Sequence, residues 1–150
     1  MGNSPLRLPV EIRDITPDDA EAAAGLSGEL GYPTDGLAMR ARIEHLATLP
    51  DHGVFVATQA GEVVGWIHVS GVLHLQAEPR AEIGGLVVTA RARSAGIGAR
   101  LVRRAEQWAA AHGFGIVLVR SQIARDDAHR FYLREGYTRT KTSAVFSKQL

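Results

Sequence analysis

Apolar and polar residues alternate over 10–15, Val-Glu-Ile-Arg-Asp-Ile, which is the period of a half-buried strand. Pro17-Asp18-Asp19 then opens a predicted helix to about residue 30, with Pro in the first turn and acids at the positive end. Gly31-Tyr32-Pro33 breaks that helix, and a second helical stretch runs over about 35–49. Residues 54–59 and 62–74 read as a hairpin about Ala60-Gly61, and 82–88 as the next strand. A stretch over 97–112 places Ile97, Leu101, Ala105 and Trp108 on one helical face and stops at Gly113. Residues 116–120 suit a buried strand, 126–135 a short helix closed by Gly136, and 143–149 a last strand. The order β-α-α-β-β-β-α-β-α-β predicts an α/β fold with a mixed, mostly antiparallel sheet.

Composition bounds this picture without changing it. A chain of 150 residues buries roughly two-thirds of its unfolded surface, so one domain over 1–150 needs no staple. No apolar run reaches the ~18 residues of a membrane span, and the N-terminus has no signal-peptide core. Cytoplasmic residence is therefore expected, with no membrane partner. The absence of cysteine removes disulfides, thiolate metal sites and a Cys acyl-enzyme. The net charge of +1 hides an asymmetry: residues 1–75 carry 4 Lys+Arg against 10 Asp+Glu, and residues 76–150 carry 13 against 6. The basic half has no dense run or aromatic interleaving, so nucleic acid is not the expected partner. An anionic nucleotide held by the second half, with a cationic substrate meeting the first, fits the asymmetry as well as solvated faces do.

The candidate chemistry begins at Arg93-Ser94-Ala95-Gly96-Ile97-Gly98, between the apolar run 83–88 and the helix from 97. A strand that turns through glycines into a helix aims free backbone N–H groups and the positive helix end at one point, which suits a phosphate or pyrophosphate. A dinucleotide fingerprint needs glycine at position 101, where Leu101 stands, and the Gly-Lys-Ser/Thr of a P-loop is absent. Arg-x-x-Gly-x-Gly remains. Taken alone, it is also read as a glycine-softened helix start without a ligand.

A second constellation, Ala128-x-x-Phe131-Tyr132-x-x-x-Gly136-Tyr137, follows 35 residues after Arg93. Ala128, Phe131 and Tyr132 share a helix face, and as an isolated pair the aromatics read as core residues. Together, in this order and spacing, the two motifs resemble those of the GNAT superfamily of N-acetyltransferases. The resemblance covers nearly the whole chain. The string Asp-Ala-His-Arg-Phe-Tyr-Leu-Arg-Glu-Gly-Tyr is similar to that of the small bacterial aminoalkylphosphonate N-acetyltransferases, and aminoglycoside N-acetyltransferases resemble the chain more loosely. Two departures stand out: Arg125 replaces the Asn that many members carry three residues before Ala128, and Ala90-Arg91 replaces a Pro-containing turn.

The resemblance implies a GNAT fold with six to seven strands flanked by about four helices, and acetyl-CoA as cosubstrate. Its pyrophosphate loop maps onto Arg93, Ser94, Ala95, Gly96, Ile97, Gly98 and Ala99. The strand before it, at Leu86, Val87 and Val88, would pair with pantetheine and polarise the thioester carbonyl. Arg125, Ala128 and Phe131 would complete the cofactor site, with Arg125 reaching a phosphate. Tyr132 matches the tyrosine that acts as general acid toward the thiolate, and Glu82 matches the glutamate base of the superfamily's histone acetyltransferases. Read as bare residues, Glu82 is equally a strand-end acid. Gly84-Gly85 marks either a strand bulge or relief of crowding.

Transfer to an amine needs its neutral form. At an ammonium pKa near ~10.4, deprotonation at pH 7 costs roughly 4.6 kcal/mol, which a base or water chain offsets. With neither Cys nor a Gly-x-Ser-x-Gly elbow, direct attack on the thioester is expected. His68 and His74 would share a strand face, but no His-Glu-x-x-His or carboxylate cluster supports them, so no metal is expected. His74 is a candidate for lining the acceptor cleft, and Glu29, Tyr32 and Asp35 for binding a cationic acceptor. The expected activity is N-acetylation of a small primary amine by a homodimer. Acetylation of protein lysines or N-termini, and a non-catalytic acyl-CoA sensor, are the alternatives.

Overall fold

Ala60 and Gly61 both adopt positive φ, 52° and 79°, and so form a two-residue turn whose twist matches the strands it joins. Those strands are β2, His52–Gln59, and β3, Glu62–His74. The computed structural model describes residues 8–93, 95–121 and 125–150. The chain forms two compact units, one ending at Val119 and the other Arg120–Leu150.

In the first unit β1, Val10–Asp14, pairs antiparallel with β2, and β3 pairs antiparallel with β4, Ala77–Val88. The short β5, Val117–Val119, runs parallel to β4, giving one sheet in the order β1-β2-β3-β4-β5. Helices α1, Ala20–Leu30, and α2, Gly36–Leu46, lie between β1 and β2 in the chain, and α3, Ile97–Ala111, between β4 and β5. The second unit holds α4, Asp126–Arg134. No helix among the described residues is long and apolar enough to cross a membrane.

Alternation along β3 sorts the sheet's two faces. Leu101 of α3 approaches Gly65, while the Trp66 indole N–H donates to the Ala23 carbonyl of α1 at 3.2 Å. Odd positions, Gly65, Ile67 and Val69, therefore face α3, and even positions, Trp66, His68 and Ser70, face the side of α1. Under α3 lie Phe55, Ile67, Val69 and Ile83, covered by Ile97, Leu101, Ala105 and Trp108 together with Val102 and Ala109. Each large side chain so buried contributes about 1.5–3 kcal/mol relative to exposure. On the other face, Ala20, Ala23 and Ala24 are buried in α1, and such small side chains let a helix axis lie close. The Arg13 guanidinium grips the buried Asp19 carboxylate bidentately at 2.8 and 2.9 Å, joining β1 to the turn that leads into α1.

Three expectations need correction. The described residues form five strands, not six to seven, because 138–150 contain no strand. Ala144-Val145-Phe146 form a short apolar run between polar flanks, but Val145 and Phe146 are exposed, and the described residues of the second unit offer no strand for them to pair with. β4 starts at Ala77, five residues before the sequence suggests. Pro79 hides that start, and an irregular register between Val72 and His74 accommodates it. The second helix ends at Leu46 rather than 49, and a turn continues the chain.

Candidate active site

β5 accompanies β4 for only three pairs, Ala81↔Val117, Glu82↔Leu118 and Ile83↔Val119. Beyond Ile83, β4 continues to Val88 with partners on β3 alone, where Leu86, Val87 and Val88 pair with Ile67, Trp66 and Gly65. Past Ile83 that edge of β4 has no strand partner among the described residues, and an open strand edge of this kind takes up an extended chain that carries amide groups. The open edge coincides with a bulge: Ile83 pairs with Val69 and Gly85 with His68, which leaves Gly84 as the extra residue. The bulge reading of the glycine pair holds, whereas the crowding that a glycine relieves here comes from the neighbouring strand β3 and not from a helix. Gly84 is the bulge, and a Cβ on Gly85 would fall 2.8 Å from the Trp66 ring.

From the end of β4 the chain makes a 3₁₀ turn, Ala90–Ala92, and reaches Gly96 in a left-handed conformation, φ 76°. Gly96 is the N-cap of α3, and as a glycine it brings no side chain to cap the helix. The Arg100 amide is the first to find a backbone acceptor across this cap, the Gly96 carbonyl at 3.1 Å. The N–H groups of Ile97, Gly98 and Ala99 form the first turn, whose amides have no acceptor within a helix. The Ile97 side chain is buried and pins this end in place. Arg93 donates from Nε to the Val88 carbonyl at 3.1 Å, and Ala95 lies in the bend before Gly96. Ser94 lies outside the described residues.

The residues expected on the acceptor side take separate places. Glu29, in the last turn of α1, accepts from Thr89 Oγ1 at 3.1 Å and from the Ala90 amide at 3.2 Å, so it anchors the start of the glycine loop. Asp35 caps α2 by accepting from the Ala38 amide at 2.7 Å. Tyr32 has an exposed ring, and its carbonyl accepts from Ser27 Oγ. His74 ends β3 opposite Ala77, four residues and so about 13 Å along the strand from Ser70. Ser70 is the partner of Glu82, which sits half-buried in mid-strand rather than at the strand's start.

The histidine brought together with His68 is His52, not His74. Their Nε2 and Nδ1 atoms are 2.9 Å apart, and the rings stack at 5.2 Å between centroids. Burial, reinforced by the charge of His52, holds the His68 imidazole below its ordinary pKa, which favours the neutral ring. His52 escapes a motif search because the pair exists only in the hairpin register, where His52 and His68 are diagonal neighbours across β2 and β3. Counting outward from the Ala60-Gly61 turn would oppose His52 to Val69 and put His68 on the other face; the register shift between Ala57 and Thr58 is what brings the two histidines onto one face.

In the second unit, Ala128, His129, Phe131 and Tyr132 form the half-buried side of α4. Tyr132 packs edge-on against Phe131 and Tyr137, at 5.2 and 5.9 Å between ring centroids. Gly136, φ 93°, closes the helix, and the Tyr137 amide donates to the Tyr132 carbonyl at 3.0 Å. Burial pushes the Tyr132 hydroxyl above its ordinary pKa, with the Arg125 charge pulling partly back. Arg125 is exposed at the helix N-cap.

The profile of the Acetyltransferase (GNAT) family matches residues 18–137. The chain belongs to the GNAT family. This GNAT protein is 38% identical over 141 residues to an aminoalkylphosphonate N-acetyltransferase of Salmonella typhimurium, covering 87% of this chain and 86% of that one. Two solved structures share the fold. One is a transcriptional regulator from Bacillus halodurans C-125, with a TM-score of 0.82, 25% identity and coverage of 93% of this chain and 100% of that one. The other is the aminoglycoside N-acetyltransferase AAC(6')-Iy in complex with CoA, with a TM-score of 0.85, 17% identity and coverage of 98% and 99%. As a GNAT acetyltransferase, the protein is an enzyme whose acetyl donor is acetyl-CoA.

Proposed function

We propose that the protein, as a single GNAT domain over 1–150, transfers acetyl directly from acetyl-CoA to a small primary amine. The carrying observation is the edge of β4 beyond Ile83, which has no strand partner opposite β3 among the described residues and leads through the Gly84 bulge toward the glycine N-cap of α3. In this reading, Leu86, Val87 and Val88 pair with the pantetheine amides, and a backbone N–H near the bulge stabilises the oxyanion. Arg93, Ser94, Ala95, Gly96, Ile97, Gly98 and Ala99 hold the pyrophosphate at the positive end of α3. Arg125, Ala128 and Phe131 complete the cofactor site.

Glu82 takes a proton from the acceptor ammonium, the amine attacks the thioester carbonyl, and Tyr132 protonates the departing thiolate. A hydroxyl whose pKa lies above the usual value stays protonated at neutral pH, as this step requires. Tyr32 and His74, with the anchored Glu29 and Asp35 nearby in sequence, line the acceptor approach. The likeness to an aminoalkylphosphonate N-acetyltransferase supports a small amine over a protein lysine. The protein acts in the cytoplasm as a homodimer.

Release of free thiol from acetyl-CoA in the presence of aminoalkylphosphonates, aminoglycosides and polyamines tests this reading. Turnover with at least one class is the expected result. Silence across the panel with intact acetyl-CoA binding would leave a cofactor-binding module in place of an enzyme.

A further inference from the structure

Acetylation of an ammonium forms one N–C bond, breaks one C–S bond, and removes two protons from nitrogen. One ends on the CoA sulfur, and the other has no place in the products. We propose that His68 and His52 form a relay that carries this surplus proton from the Gly84 bulge to the protein surface, an inference that rests on the function proposed above.

The geometry forms a continuous line. His68 Nδ1 lies 3.8 Å from the position a Cβ would occupy on Gly84, so one edge of the ring borders the bulge. The other edge, Nε2, is 2.9 Å from His52 Nδ1. The outer atom of His52, Nε2, is 4.0 Å from Asp51 Oδ1, whose side chain is 62% exposed. Glu82, the diagonal neighbour of His68 across β4 and β3, hands the ammonium proton it has taken to His68 Nδ1, the His68 Nε2–H proton passes to His52 Nδ1, and the His52 Nε2–H proton leaves to water beside Asp51. The second proton lost by nitrogen restores Tyr132 after it has protonated the sulfur. Each ring gains one proton and gives one up, and return of the two tautomers resets the pair. His68 acts through Glu82, and His52 acts through His68.

The surroundings favour transit over storage. His68 is neutral at pH 7 because burial opposes its charged form. The titratable groups nearby are His52 and Asp51 on β2 and Glu82 on β4, across from Ser70. Of the charged groups of α1 and α2, Glu29 binds Thr89 and Ala90, Arg40 pairs with Glu44, and Arg42 donates to Thr34.

The test compares His68→Gln and His52→Ala with the unaltered protein, using the acceptor that gives the fastest thiol release. His68→Gln should lower kcat about 10²-fold near pH 7, the lower end of the range for a placed proton acceptor, and the deficit should shrink toward the amine's own pKa. Calorimetric affinity for CoA should stay unchanged. His52→Ala should lose less, and added imidazole should restore it, because the His52 side chain is 24% exposed at its outer edge. An unchanged kcat and pH profile in His68→Gln would overturn the relay while leaving the proposed function intact. If His68→Gln does not fold, His52→Ala decides alone: no loss, or loss without imidazole rescue, overturns the relay. Absence of turnover in the unaltered protein overturns both.

Discussion

The Glu29 carboxylate accepts from the Ala90 amide at 3.2 Å and so ties the last turn of α1 to the first residue of the 3₁₀ turn that leads into the glycine loop. A side chain that fixes a loop acts on what the loop binds. Glu29→Ala should raise KM for acetyl-CoA about fivefold, the size expected of one charge-assisted hydrogen bond at an exposed site, with a smaller change in acceptor KM. Steady-state kinetics with each substrate varied in turn checks this. The opposite split would return Glu29 to the acceptor side.

Gly96 holds φ at 76°, and a Cβ built there meets nothing within 4 Å. The cost of a side chain is therefore conformational rather than steric. Gly96→Ala should destabilise the protein by about 1 kcal/mol or shift the loop out of shape. Titration calorimetry should show CoA affinity reduced about tenfold alongside a lower Tm. Unchanged CoA affinity would place the pyrophosphate elsewhere.

Tyr132→Phe removes the proposed acid and should reduce kcat by about 10²–10⁴ while leaving CoA affinity near its original value. Because burial raises the hydroxyl's pKa, Tyr132 should set no alkaline limb on the unaltered profile below its ordinary value near ~10. Glu82→Gln should behave differently, with lost kcat partly recovered at high pH as the amine deprotonates unaided. A flat response in Glu82→Gln eliminates it as the base.

Asp19 is held below the usual carboxylate pKa, chiefly by the Arg13 hydrogen bonds and further by the Thr16 amide. Its folded pKa lies below its unfolded value, so its contribution is complete above about pH 4 and is lost as pH falls through the folded value. Asp19→Asn should cost about 1–2 kcal/mol at pH 7, moderated because Arg13 is partly exposed. The difference in Tm from the unaltered protein should narrow on acidification toward pH 3. A constant gap would show that the ion pair is not what Asp19 contributes.

Much of the fold was readable along the chain because local signals agreed with tertiary demands. The β3 bounds, the Ala60-Gly61 turn and the buried stripe of α3 follow directly from period and turn chemistry. The Gly96 N-cap was readable for the same reason, since a strand-to-helix turn through a left-handed residue favours glycine. Residues 143–149 misled because a short apolar run describes a segment that a strand can use, not a neighbour that pairs with it. Pro79 masked the first third of β4 because an imino residue removes a ladder donor, and only the register irregularity accommodates it. His52 and Glu29 were out of reach: each gains its meaning from a partner on another element, and no spacing along the chain encodes that pairing.

The three pairs that join β5 to β4 have a further consequence. Where they stop, the backbone of Leu86–Val88 is paired on one flank only among the described residues, so under the proposed binding mode cofactor entry would complete the sheet as well as fill a cleft. Amide hydrogens along this stretch should trade readily with deuterium in the empty enzyme and slow once CoA docks. Loading the donor is then also a stiffening event, and the protein becomes most rigid at the moment its chemistry requires fixed geometry.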